Sequence, residues 1–310
     1  MDLLQKRIDE IYQECLEYTD EGRVADYIPE LSRVDKYQLG FYAVGAEFDE
    51  YYIGAYDVKF TIQSVAKVLI FICAILDNST AKVLSKVTVE PTSSSFNSIV
   101  NLELENENRP LNPFINSGAI VCTSLLKGTT SEDRVQQIIS LMKRMCDNQD
   151  ITYNESVYLS EKKTGARNRS LAYYMSSTGV LEGDVEDILD AYFKICAIEV
   201  TCKDLAQISY VLAQDGYNEN TGEQVFSKFL ANRVRSVMAL CGMYDGSGEF
   251  AVEVGLPSKS GVGGGIMSIS TKHGGMGIGV FGPSLDKKGN SVAGVMFLKR
   301  LSQELSLSIF

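Results

Sequence analysis

The sequence predicts an α+β protein: one antiparallel sheet built from both ends of the chain, flanked by terminal helices, with an all-helical lobe inserted between. Three observations point there. Short β-like runs lie between residues 38 and 63 and again after Gly242, and the stretch between them reads mostly as helix. Both ends of the chain carry amphipathic helical spacing. Residues 1–66 together with 242–310 are therefore assigned to a discontinuous sheet domain and residues 67–241 to a helical domain. A cleft between the two is the natural binding site.

Taken in order, Leu4, Ile8, Ile11 and Cys15 fall on one stripe of a first helix over residues 3–18. The runs QLGFYAVGA, YYIGAY and KFTIQ then read as strands separated by polar turns. The middle holds helical segments such as VEDILDAYFKICAI and FSKFLANRVRSVMALCG, with Asn, Asp, Gly and Thr between them as caps and breaks. After Gly242, GEFAVEV, SKSGVGGGIMSIS and GGMGIGVFG read as strands, and residues 291–305 as a closing amphipathic helix. No internal repeat or low-complexity linker is visible.

The bulk composition narrows the function. With 310 residues, 45% of them hydrophobic, the chain can bury a sizeable core. A net charge of −11 without a basic stretch argues against nucleic acid as a partner. The longest apolar run, Val68–Leu76, is too short to span a bilayer. The charged N-terminal segment lacks the apolar block of a signal peptide, so the sequence reads as cytoplasmic. Seven cysteines (Cys15, Cys73, Cys122, Cys146, Cys196, Cys202, Cys241) form no CxxC pair and read as reduced core thiols. The single histidine, His273 in TKHGG, reads as a surface loop residue. A histidine triad or His-rich metal site would rest on it alone, and neither metal nor cofactor is expected.

Chemistry gathers in FTIQSVAKVLIFICAIL, residues 60–76. Ser64 and Lys67 lie one turn apart on the same helical face. A lysine buried there loses basicity, and its neutral amine can take the serine proton. Backbone N–H groups at the helix start favour negative charge nearby. Spacing alone is weak, because Ser-x-x-Lys also starts at Ser79, Ser124, Ser140, Ser160 and Ser284. Only Ser64 stands at a strand-to-helix junction with apolar residues on both sides of its lysine. A second element, LPSKSGVGGG (256–265), lets a glycine-rich backbone edge approach a ligand, and its N–H groups can complete an oxyanion hole with that of Ser64. It lacks the residue order of a nucleotide P-loop. Tyr244 and Tyr192, among sixteen tyrosines, are candidates to relay a proton beside a Ser/Lys centre.

Ser-x-x-Lys followed far downstream by Lys-Ser-Gly resembles the serine β-lactamase and penicillin-binding-protein superfamily. Within it, eight segments in order resemble the bacterial and mitochondrial-type glutaminases over nearly the whole chain. They are VADYIPEL (24–31), FTIQSVAK (60–67), EPTSSSFNSI (90–99), RPLNPFINSGAI (109–120), SEKKTGARNRSLAYYM (160–175), DAYFKICAIEV (190–200), CGMYDGSGEFA (241–251) and GLPSKSGVGGGI (255–266). The resemblance implies a β-lactamase-like fold and hydrolysis of L-glutamine to L-glutamate and ammonia through an acyl-enzyme. Ser64 matches the nucleophile and Lys67 its base. The N–H groups of Ser64 and Val262 match the oxyanion hole, and Tyr244 matches a substrate-contacting tyrosine, the candidate proton donor to ammonia. Asn116, Glu161, Asn168 and Tyr192 match positions that bind the amino-acid end of glutamine, and Tyr27 a further tyrosine of the pocket. The resemblance also suggests a homodimer or homotetramer. Lys259 stays without a settled role; it orients the centre electrostatically or contacts substrate.

Two departures are visible. Ser93-Ser94-Ser95 stands where a glycine-containing turn is common, and Asp245 follows Tyr244 where the family varies. Two alternatives remain at this point. One is a β-lactamase or peptidase, against which stand the missing signal peptide and the missing Ser-Asp-Asn. The other is a silent amino-acid-binding protein, against which stands the intact set of Ser64, Lys67 and Tyr244.

Overall fold

The structure is a computed structural model and describes residues 3–46, 50–104 and 108–310. Predicted intervals that run through the remaining positions lie, there, outside the described residues. In chain order come helix α1 (Leu3–Leu16), strands β1 (Gly40–Gly45), β2 (Tyr51–Gly54) and β3 (Phe60–Thr61), and helix α2 (Ala66–Asp77). Helices α3 (Thr80–Lys86), α4 (Val100–Leu104), α5 (Asn116–Ser124), α6 (Ser131–Met145), α7 (Glu155–Thr164), α8 (Ala166–Ser177) and α9 (Val185–Cys196) follow. Then come β4 (Glu199–Val200), α10 (Cys202–Ala213), β5 (Tyr217–Asn218), β6 (Glu223–Gln224), α11 (Lys228–Cys241) and α12 (Ser247–Glu253). Strands β7 (Ser258–Ser260), β8 (Gly265–Ser270) and β9 (Met276–Phe281) and helix α13 (Val292–Leu305) complete the chain.

The fold is α+β. A five-stranded antiparallel sheet of order β2-β1-β9-β8-β7 joins strands from both parts of the chain through the β1–β9 pairing, in which Phe41 faces Val280 and Ala43 faces Ile278. Alternation along these strands sends Phe41, Ala43, Ile278 and Val280 to one face, where they pack with Ile8 and Ile11 of α1 and Phe297 and Leu301 of α13. Phe41 and Phe297 meet ring to ring at 4.6 Å. The opposite face is shaped by absence of side chains. A Cβ on Gly277 or Gly279 of β9 would stand 2.1 Å from the carbonyl oxygen of Ala206 or Cys202, so α10 lies directly on the strand. Thr201 starts α10 with a capping box closed by Asp204. Thus α10, inside the interval 67–241 that the sequence reading gave to the helical domain, packs on the sheet.

Helices α3, α5, α6 and α11 cover α2, which is apolar on every side after Lys67. Two local expectations are corrected. KFTIQ does not extend the main sheet: β3 pairs only with β4, with Phe60 opposite Val200, and then turns at once into α2. GEFAVEV is not a strand. It forms most of α12, burying Phe250 and leaving Val252 85% exposed, because a helix brings Phe250 and Val254 to one side while its alternation satisfies no neighbouring strand.

Candidate active site

β3 ends at Thr61, and a single 3-10 turn over Gln63–Val65 carries the chain into α2. Gln63 takes a left-handed conformation at φ +49°, uncommon for a residue with a Cβ. Its side chain holds the turn from both sides, donating to Thr61 Oγ1 at 3.2 Å and to Glu161 Oε1 at 2.7 Å. The result is a buried Ser64 at the mouth of α2, with Lys67 one turn deeper and wholly shielded from solvent. Lys67 Nζ donates to Asn116 Oδ1 at 2.7 Å and to the Phe114 carbonyl at 3.3 Å. Burial lowers its pKa to about 8, against the opposing pull of Cys196 and Glu161.

The Lys-Ser-Gly strand end reaches Ser64 because its glycines carry no Cβ. One added to Gly261 would meet the Ile62 carbonyl at 2.8 Å, and one on Gly263 the Thr61 carbonyl at 2.5 Å. The loop after β7 therefore lies flat against the turn bearing Ser64, with Val262 between these two contacts. Tyr244 arrives from a 3-10 turn after α11, also left-handed, at φ +55°. Its hydroxyl is buried and makes no well-formed hydrogen bond within the protein. Burial raises its pKa well above the phenol range, while Ser64 and the Val262 N–H pull it back. The ring packs 5.0 Å from that of Phe96.

A cavity of about 110 Å3 opens in front of Ser64, lined by Tyr27, Asn116, Glu161, Asn168, Tyr192 and Val262. Each comes from a different segment: the loop after α1, the starts of α5 and α8, the bodies of α7 and α9, and the loop after β7. Asn116 links them, donating to Asn168 Oδ1 at 2.9 Å while its Oδ1 accepts from Lys67 and, at 3.4 Å, from the Tyr192 hydroxyl. Asn112 sets the entry to α5 by accepting from the N–H groups of Phe114 and Ile115. Glu161 is buried, and burial raises its pKa to about 7, with Gln63 and Lys67 pulling it down. Tyr27 is about half exposed at the cavity mouth. Tyr244 stands at the edge of this arrangement rather than in the cavity lining, and it also borders a larger groove of about 980 Å3.

Sequence reasoning missed Gln63, Phe96, Asn97, Arg167 and Cys196, all of which line the cavity. Gln63 sits inside FTIQSVAK and Arg167 immediately before Asn168, so their positions were on view; only the fold shows that Arg167 Nε donates to the Asn97 carbonyl at 2.9 Å. Cys196 follows Tyr192 by one helical turn on α9. His273 occupies the β8–β9 turn, exposed, with its ring against the Leu305 carbonyl at 3.0 Å. Among the described residues no three His, Cys, Asp or Glu side chains could hold a metal ion. No described helix is long and apolar enough to cross a membrane.

The family model for glutaminase matches residues 22–310. A glutaminase of Clostridium tetani is 57% identical over 99% of this chain and 100% of its own. The solved structure of a probable glutaminase from Bacillus subtilis complexed with 6-diazo-5-oxo-L-norleucine superposes with a TM-score of 0.91 at 36% identity, covering 100% of this chain and 98% of that one. A second Bacillus subtilis structure is a covalent complex with 5-oxo-L-norleucine formed by reaction with that compound; it matches at TM-score 0.90 and 37% identity, over 98% and 99% of the two chains. The penicillin-directed and silent-binder alternatives give way to these matches over almost all of both chains. This chain belongs to the glutaminase family, amidohydrolases of β-lactamase-like fold.

Proposed function

We propose that this glutaminase hydrolyses L-glutamine to L-glutamate and ammonia through an acyl-enzyme on Ser64, with Lys67 as its base. The observation that carries the reading is Lys67, shielded completely, lowered to about 8, and one turn from a serine that faces the cavity. Two of its three hydrogen-bonding directions are taken by the Phe114 carbonyl and Asn116 Oδ1. The third, a lone pair in the neutral amine, serves Ser64. No hydrogen bond joins the two directly; substrate binding is what tightens such a contact in the proposed reaction.

In the first half-reaction Lys67 takes the Ser64 proton as Oγ bonds to the side-chain carbonyl carbon. The carbonyl π pair moves to oxygen, which the N–H groups of Ser64 and Val262 hold. Collapse reforms the carbonyl and breaks the C–N bond, its electron pair leaving with nitrogen. Tyr244 gives that nitrogen a proton, releasing ammonia, and the proton held on Lys67 restores the phenol. Water then attacks the ester with Lys67 again as base, and Ser64 leaves with its proton regained. The covalent complex of the Bacillus subtilis relative supports a covalent route of this kind.

Glu161 supplies the anion for the substrate ammonium, while Asn168, Tyr192 and Asn116 supply polar contacts at the same end. Tyr27 covers the mouth. The test is glutamate release from glutamine and asparagine by the purified protein and by Ser64→Ala and Lys67→Ala. Expected are a strong preference for glutamine and loss of release in both variants with the fold retained. Release at the parent rate in either folded variant overturns the mechanism.

A further inference from the structure

Lys259 is the other lysine shielded completely from solvent, and the reaction proposed above does not use it. Its Nζ donates to the Gly242 carbonyl at 3.0 Å and to the Ser260 carbonyl at 2.6 Å. It lies 4.3 Å from the centre of the Tyr244 ring. The two carbonyls belong to the two backbone segments that matter most: Gly242 precedes Tyr244 by two residues, and Ser260 precedes Val262 by two. The Ser260 N–H donates to the same Gly242 oxygen at 3.1 Å. There is no slack at this junction, since a Cβ on Gly242 would fall 1.7 Å from the Ser258 carbonyl.

Tyr244 needs such support, because its left-handed backbone is held against its own preference. Ser247 helps, donating to the Tyr244 carbonyl at 2.8 Å and accepting from the Met243 N–H at 3.0 Å. Neither contact touches the ring. Packing alone does not account for the lysine: burial and the nearby Lys67 both push its pKa well down. An apolar side chain of similar volume would fill the same space without that desolvation cost.

We propose that Lys259 is a positioning residue for proton delivery: it ties the Tyr244 turn to the Val262 strand end and packs its Nζ 4.3 Å from the centre of the phenol ring, fixing the group that gives its proton to the departing nitrogen. The inference rests on the reading of Tyr244 as the proton donor to ammonia. It adds no chemical step.

The test is a double-mutant cycle of Lys259→Met and Tyr244→Phe, measuring kcat and KM for glutamine with melting curves alongside. Lys259→Met is expected to lower kcat by about tenfold or more with KM within about twofold of the parent. In the Tyr244→Phe background the same substitution is expected to cost no further kcat, because the group it acts through is gone. An equal loss of kcat in both backgrounds overturns the inference and makes Lys259 a fold residue. An unchanged kcat, or an effect confined to KM, overturns it as well. Full activity in Tyr244→Phe instead overturns the proton-donor reading, and the inference falls with it by a separate arm. Lys259→Gln, shorter but still a donor, enters the same cycle if the Met variant does not fold.

Discussion

Gln63 donates to Glu161 across the floor of the cavity at 2.7 Å, tying the residue before Ser64 to the one acid that lines the cavity among the described residues. The bond does two things at once. It fixes the left-handed turn that presents Ser64, and it lowers the pKa of a carboxylate that burial raises. Gln63→Leu is therefore expected to raise KM for glutamine by about 10- to 100-fold, the worth of a hydrogen bond to a charged group. Steady-state kinetics check this; an unchanged KM shows that Glu161 does not hold the substrate ammonium.

The pH profile follows from two groups with the same sign. Lys67 must be neutral and titrates near 8; Glu161 must be ionised and titrates near 7. kcat/KM is expected to climb as pH rises from about 6 to about 9. Because the two groups interact, the two steps belong to the pair. Glu161→Gln is expected to leave a single acid step. A profile flat from pH 6 to 9 would sink this assignment.

Lys67 also marks stability. Its folded pKa lies below its unfolded value, so its charged form costs the fold stability below pH 8, and that cost fades as pH rises toward 10.5. The stability of the parent relative to Lys67→Met is expected to rise by about 2–3 kcal/mol between pH 8 and 10.5. Urea titrations at several pH values measure it. The variant is expected to be inactive throughout.

The glycines after Lys259 let the Val262 loop touch the backbone that bears Ser64, which is where the proposed mechanism holds its oxyanion. Gly263→Ala drives a methyl group against the Thr61 carbonyl, displacing Val262 from Ser64. Loss of one donor predicts a kcat lower by about 10²- to 10³-fold with KM less affected. The measurement is kcat alongside a thermal melt, and a variant with the parent kcat refutes the role given to the loop.

Much of this was legible in the sequence because the signals were local. Ser64 and Lys67 announce themselves by a one-turn spacing at the start of an apolar helix, and α1 and α13 by their stripes. Where the reading failed, long-range pairing decided. Nothing local tells KFTIQ that its partner is Glu199–Val200, or GEFAVEV that no strand awaits it. Glu161 and Asn168 look like a solvated helix start in isolation, and only the resemblance marked them. Gln63 was hidden for a different reason: its role lies in a backbone angle that no residue type betrays. Tyr244 is a candidate already in the sequence, but its left-handed turn and its neighbour Lys259 are seen only in the fold.

The pairing of β1 with β9 has a consequence for the life of the chain. Ser64 and Lys67 are synthesised early, but the amide of Val262 and the phenol of Tyr244 emerge only later, and the Val262 loop lies between strands that join β1 through β9. A nascent chain thus carries Ser64 and Lys67 before the second proposed oxyanion donor, the Val262 N–H, has been made. Under the proposed mechanism, a fragment that ends before Val262 is expected to release no ammonia even with Ser64 and Lys67 in place.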